Sequence, residues 1–87
     1  MFTVIFTQRA KKEYSKLPEK DQRRVADAIN VLQIQPFSGK KLDGEHEGKW
    51  SIRVWPYRII YTIDKHTITV TVVAIGQRKD VYRRLRR

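Results

Sequence analysis

Arginine stays protonated in proteins and cannot act as a base, but it binds phosphate and stabilises the charge that builds up in phosphoryl transfer. Three arginines of this 87-residue chain are spaced to do so together: Arg53, Arg58 and Arg78. Arg53 and Arg58 flank the sequence Val54-Trp55-Pro56-Tyr57. If Trp55-Pro56 is a two-residue turn, Val54 faces Tyr57 and Arg53 faces Arg58. Like charges directly opposite on adjacent strands repel. Such a pair is either solvated or needs an anion. Arg78 follows Gly76 at the end of the next strand, so it emerges near the same face of the sheet. Tyr82, four residues after Arg78, reaches that place from a helical turn.

The elements that must position these residues are legible in the hydrophobic pattern. Trp50–Trp55 and Tyr57–Asp64 alternate, and Thr67–Ile75 is rich in β-branched residues, so the stretch reads as a three-stranded antiparallel meander. With Lys65-His66 as the second turn, Asp64 faces Thr67 and Arg58 faces Val73. One face then carries Trp50, Ile52, Val54, Tyr57, Ile59, Tyr61, Ile63, Ile68, Val70, Val72 and Ala74, and must be covered. The other carries Ser51, Arg53, Arg58, Ile60, Thr62, Thr69, Thr71, Val73 and Ile75. Upstream, Phe2–Phe6 reads as a short strand with Phe2, Val4 and Phe6 on one side. Thr7 is a helix cap for Gln8–Lys16, with Ala10, Tyr14 and Leu17 as a narrow apolar stripe. Leu17-Pro18 breaks that helix, and a second runs from the first turn at Pro18 to about Gln33, with Val25, Ala28, Ile29 and Leu32 on one side. Residues 36–49, with three glycines, read as a long loop. The expected fold is α+β: an N-terminal strand and a helical hairpin packed on one face of a mainly antiparallel sheet (β-α-α-β-β-β), followed by a basic C-terminal tail or short helix, all in a single domain over residues 1–87.

Charge narrows the partners. Nineteen Lys and Arg against nine Asp and Glu give a net charge of +10, which points to an anionic partner, nucleic acid first. An acidic protein is compatible with the same charge. No membrane is expected, since no apolar run approaches about 18 residues and no helix pairs a basic face with a broad apolar one. The chain has no cysteine, which fits a reducing cytosol, and the cytoplasm is the expected location.

Other chemistry is sparse. There is no phosphate-cradling glycine loop and no nucleophile elbow. His66 falls in a turn and His46 in the long loop, and both read as surface histidines. Glu45, His46 and Glu47 are adjacent, which suits neither face of a helix nor of a strand, so no metal and no cofactor are expected. Tyr14, Trp50, Tyr57 and Tyr61 belong to the core. Trp55, beside Arg53 and Arg58, either stacks a base or caps the turn.

The motifs Tyr57-Arg58-x-x-Tyr61 and Gly76-x-Arg78-x-x-x-x-Tyr82, behind a Leu-Pro helical junction, closely resemble RelE/ParE-superfamily toxins of toxin–antitoxin modules. The resemblance covers the whole chain. For a RelE-type member it implies a ribosome-dependent, metal-independent endoribonuclease that cuts messenger RNA in the ribosomal A site. The RNA 2′-hydroxyl attacks the adjacent phosphate, leaving a cyclic phosphate and a 5′-hydroxyl. It implies a catalytic set of Arg53, Arg58, Arg78 and Tyr82. Lys41, Lys49, Trp55, Gln77 and Lys79 are the candidate RNA contacts. An acidic cognate antitoxin is the implied protein partner, meeting Arg83, Arg84, Arg86 and Arg87. Two positions depart from many relatives: Gln77 stands where they carry histidine or lysine, and Arg53 where some carry lysine. Tyrosine is then the one candidate base in the cluster, with Lys41 or Lys49 as substitutes. Two other readings share the fold: a ParE-like inhibitor that binds DNA gyrase, and a non-catalytic nucleic-acid or antitoxin-binding module.

Overall fold

The computed structural model describes residues 1–77 and 80–82. Along the chain it shows β1 (Thr3–Phe6), α1 (Gln8–Ser15), α2 (Glu19–Ile34), β2 (Lys40–Lys41), β3 (Trp50–Val54), β4 (Tyr57–Asp64) and β5 (Thr69–Gln77). The helices start where local chemistry dictates. The Thr7 hydroxyl accepts the Ala10 N–H at 3.1 Å and caps α1. Pro18 caps α2 from outside the helix, and Glu19 and Asp21 lie in the first turn, where the helix dipole favours negative charge.

The strands form one sheet in the order β1-β5-β4-β3-β2. β1 runs parallel to β5 and the other pairs are antiparallel. A parallel pair needs a long crossover, which the rest of the chain between β1 and β5 supplies. The architecture is the expected α+β arrangement. On the helix-covered face, Ala10, Val25 and Ile29 meet Ile59, Val72 and Ile75, and Leu32 meets Tyr61 and Val70. Phe2, Val4 and Phe6 pack against the same core, as their alternation predicts.

The first hairpin has the expected register: Val54 pairs with Tyr57, and Arg53 with Arg58. The second does not. Its turn spans four residues, Lys65 to Ile68, and Asp64 pairs with Thr69 instead of Thr67. The commonest two-residue hairpin turns need positive φ, for which Lys65-His66 offers no glycine or asparagine, and it lacks the proline that closes the first turn. Instead the Asp64 carboxylate accepts the N–H groups of His66 and Thr67 at 2.9 and 3.2 Å, and these bonds hold its pKa below the ordinary value. The left-handed residue is Ile68, at φ 53°.

A register shift between Ile60 and Tyr61 adds a further step, so that Arg58 lies opposite Gly76 and not Val73. The longer turn moves the pairing by two residues and keeps the side chains from Thr69 to Val72 on their faces, while Ile68, read on the covered face, lies exposed in the turn. The bulge moves it by one and exchanges faces. Ile75 therefore joins the helix-covered core, while Ala74 turns to the opposite face and packs with Ile60. Helix α1 supports this part of β5 beyond the end of β1. The Thr7 hydroxyl donates to the Val73 carbonyl at 3.3 Å, and Glu13 accepts the Ile75 N–H at 2.8 Å.

Residues 36–49 are not an unstructured loop. β2 pairs antiparallel with β3, Lys40 opposite Ser51 and Lys41 opposite Trp50. Short 3-10 turns flank it at Pro36–Ser38 and Gly44–His46. The Phe37 ring sits edge-on to Phe2 and Trp50, and the Pro36 carbonyl accepts the buried Tyr61 hydroxyl at 2.8 Å.

Two tyrosines of β4 tie the sheet down. Tyr57 donates to the Asp21 carboxylate on α2 at 2.7 Å, and that bond, with burial, raises its pKa above the ordinary 10. Burial raises Tyr61 likewise. A pKa raised by folding adds stability that is complete below the unfolded value and is lost as pH rises through the folded one. Urea midpoints are therefore expected to fall above about pH 10, where the unfolded tyrosines ionise. Tyr57→Phe and Tyr61→Phe should each show a shallower fall over that range. An unchanged slope in both would remove the tyrosines from the cause.

Candidate functional site

The face of the sheet away from the helices carries the charge. Alternation along β3 places Ser51 and Arg53 there, and alternation along β4 places Arg58, Ile60 and Thr62 there. The middle of this face is covered. Residues 80–82 are helical, and Val81, fully buried, packs on Ile60 and Ala74 with Leu42, Val73 and Tyr82 around it. This apolar seat brings Tyr82 back over β3, where its hydroxyl donates to the buried Ser51 Oγ at 3.3 Å.

Between Tyr82 and the β3–β4 turn lies a cleft of about 540 Å³, lined by Lys40, Leu42, Arg53, Trp55, Pro56, Tyr57, Arg58 and Tyr82. Three cations and an exposed aromatic ring therefore face one space. Trp55 is 57 % exposed at the turn. Among the described residues, Arg53 and Arg58 have no carboxylate within salt-bridge distance. Directly opposite strand residues are about 4.5–5.5 Å apart at Cα, so the two like charges share a neighbourhood in which a bound anion is favoured. A depression of about 410 Å³ along α1, lined by Gln8, Arg9, Lys12, Glu13 and Lys16, is a poorer candidate: its one carboxylate already holds the Ile75 N–H and Arg9.

The cleft unites Arg53, Arg58, Trp55 and Tyr82 of the residues expected from the sequence. It does not include Lys41, Lys49 or Gln77. Lys41 pairs with Trp50, whose ring is on the core side, so alternation turns it away from the cleft. Lys40, the neighbour that pairs with Ser51, lines the cleft in its place. Gln77 pairs with Tyr57, whose hydroxyl reaches α2, and so sits on the opposite face from Arg58. Arg78 and Lys79, and Arg83, Arg84, Arg86 and Arg87, lie outside the described residues.

His46 is not the surface histidine that the sequence suggests. Its side chain is 14 % exposed, and its ring lies against Tyr82, centroids 5.5 Å apart with planes at 47°. Lys40 and His46 both stand in the segment read as loop: the pairing of β2 with β3 gives Lys40 its side, and the Gly44–His46 turn with the Tyr82 contact gives His46 its place. Among the described residues, no group of three or more His, Cys, Asp or Glu comes together, and no helix is long and apolar enough to cross a membrane.

The chain can be compared with known proteins on this geometry. A family model described as "ParE toxin of type II toxin-antitoxin system, parDE" matches residues 4–82. Toxin RelG of Mycobacterium tuberculosis is 36 % identical over 85 residues, which are 95 % of this chain and 98 % of that protein. The fold matches the toxin–antitoxin complex RelBE2 of M. tuberculosis with a TM-score of 0.82 at 34 % identity, covering 88 % of this chain and 91 % of that one. It matches the isolated E. coli RelE toxin with a TM-score of 0.78 at 23 % identity, covering 98 % and 95 %.

Proposed function

The chain belongs to the ParE toxin family of type II toxin–antitoxin systems, within the RelE/ParE superfamily, and we propose that it acts as a ribosome-dependent, metal-independent endoribonuclease that cleaves messenger RNA in the A site. The observation that carries this reading is the cleft in which the Arg53–Arg58 pair faces an exposed tryptophan and a tyrosine. Paired guanidinium groups recognise a phosphate, and an exposed indole accepts an unpaired base by stacking. Single-stranded RNA presents both groups one nucleotide apart.

The reaction is a transesterification. The 2′-oxygen forms a bond to phosphorus, the bond from phosphorus to the 5′-oxygen breaks, and the products are a 2′,3′-cyclic phosphate and a 5′-hydroxyl. Arg53 and Arg58, with Arg78 as the third member of the set, hold the phosphate and stabilise its charge in the transition state. Arginines cannot take the 2′-hydroxyl proton or return one to the leaving oxygen. Tyr82 is the cleft residue assigned to proton transfer, and the 2′-hydroxyl is what confines the reaction to RNA. A cleft with so little proton-transfer chemistry depends on the ribosome to align the 2′-oxygen with the phosphate.

The proposed protein partner is an acidic cognate antitoxin, which the +10 charge favours; the matching M. tuberculosis structure is of a toxin–antitoxin complex. Basic residues Arg83, Arg84, Arg86 and Arg87 are its proposed contacts, and the cytoplasm, where ribosomes are, is the proposed location. A second reading, a gyrase inhibitor of the ParE type, is favoured by the name of the matching family.

Brief induction followed by mapping of cellular RNA 5′ ends separates the readings. Cuts within translated codons are expected, with weak cutting of naked RNA by the purified protein. DNA damage without RNA cuts would establish the gyrase reading. The absence of both would leave a non-catalytic binding module.

A further inference from the structure

Tyr82 lies in a helical segment of which residues 80–82 are described. Tertiary contacts hold this phenol. Val81 anchors the backbone in the Ile60–Ala74 seat, the Ser51 Oγ takes the hydroxyl at the long distance of 3.3 Å, and the His46 ring packs on the phenol ring at 5.5 Å. The histidine is itself held. The turn Gly44–His46 closes with the His46 N–H on the Asp43 carbonyl at 3.3 Å, and the His46 carbonyl accepts the Lys49 N–H at 3.1 Å. Gly44 and Gly48, at φ 65° and 91°, supply the left-handed backbone that brackets this turn. The Glu45 carboxylate stands 3.9 Å from His46 Nε2. A segment built this closely presents one ring to Tyr82 at the edge of the cleft.

We propose that His46 is the positioning residue for Tyr82, holding its phenol at the edge of the cleft for RNA cleavage; the role rests on the nuclease reading above. His46 is not itself a cleft-lining residue. It acts through Tyr82, by ring contact. Misplacing a reacting group by about 1 Å costs up to about 100-fold in rate, so a ring that fixes a phenol has a large effect without touching RNA.

The test is cleavage of message on programmed ribosomes by the full chain, with His46→Ala and His46→Phe beside the unaltered protein. His46→Ala is expected to lower kcat about 10- to 100-fold with KM changed less than about twofold, since substrate contacts remain while alignment is lost. His46→Phe keeps a ring and is expected to recover most of kcat. An unchanged kcat in His46→Ala, a loss confined to KM, or a His46→Phe variant as slow as His46→Ala each overturns the proposal. No cutting by the unaltered protein overturns the nuclease reading instead. In that case the NMR signals of the Tyr82 ring still decide the positioning. They should move or broaden in His46→Ala and return in His46→Phe, and signals unmoved in His46→Ala refute it.

Discussion

Arg58→Gln is expected to abolish toxicity without weakening the fold. Arg58 lies opposite Arg53 on one side and Gly76 on the other, and it lines the cleft. In the free protein its charge meets a like charge and, among the described residues, no carboxylate. Exposed ion pairs contribute only about 0–1 kcal/mol, and here even that is missing, while the repulsion from Arg53 is present. Gln retains part of the aliphatic stem that a half-buried arginine packs against the sheet. Stability should therefore stay level or rise by a few tenths to about 1 kcal/mol, the usual sign when a functional charge is removed. Cleavage should lose about 2.7–4 kcal/mol of transition-state stabilisation, by analogy with the loss of one oxyanion donor, or roughly 100- to 1,000-fold. Antitoxin binding should largely survive. Urea melts and ribosome cleavage on the one variant read both halves. A fold weakened by more than about 1.5 kcal/mol would show that Arg58 is a satisfied structural residue.

Gly39→Ala is expected to be the more damaging change for the fold. Gly39 stands between the 3-10 turn at Pro36–Ser38 and β2, close to the β3 backbone and the end of the Tyr61 side chain. A Cβ there would lie 2.7 Å from the Ser51 carbonyl oxygen and against the Tyr61 hydroxyl. Neither neighbour yields easily. The carbonyl belongs to the β3 backbone, and the phenol is fully buried and bonded to the Pro36 carbonyl. The backbone must move instead, lifting β2 away from β3. Overpacking of this kind costs about 1–3 kcal/mol, sometimes more, out of about 5–15 kcal/mol for a typical domain. The same displacement would carry Lys40 and Leu42 out of the cleft. A urea titration measures the loss. The Tyr61→Phe background supplies the control, because removing the hydroxyl gives the methyl group room. The double variant should therefore lose less than the sum of the singles. Full additivity, or a midpoint unchanged in Gly39→Ala, would mean that the close approach at Gly39 is not what fixes β2.

Membership in a toxin family gives these two changes different consequences. Arg58→Gln should yield a well-folded, harmless protein that still engages its partner. Gly39→Ala should yield a protein whose loss of toxicity follows its loss of fold.

The sequence by itself determined the two helices, the four longer strands and the Arg53–Arg58 pair of the cleft. The helical stripes, the Thr7 cap and the break at Leu17-Pro18 are local features, and they appear in the structure as read. The Arg53–Arg58 pairing was legible because a two-residue turn leaves a short hairpin one register, and its apolar face leaves no freedom to slip. Tertiary structure decided what lies around that pair. The four-residue turn and the register shift bring Gly76 opposite Arg58 and send Gln77 to the other face. That part of β5 is supported by Thr7 and Glu13, more than sixty residues away in the chain. The two-residue strand β2 chose Lys40 over Lys41, and no alternation is readable over two residues. The burial of Val81 and the contact of His46 with Tyr82 join two segments that carry no periodic signal of their own. Alternation fixes which side a residue takes relative to its neighbours. The absolute register of β5, and the side taken by a residue in an irregular segment, depend on contacts with distant parts of the chain that exist only once the chain has folded.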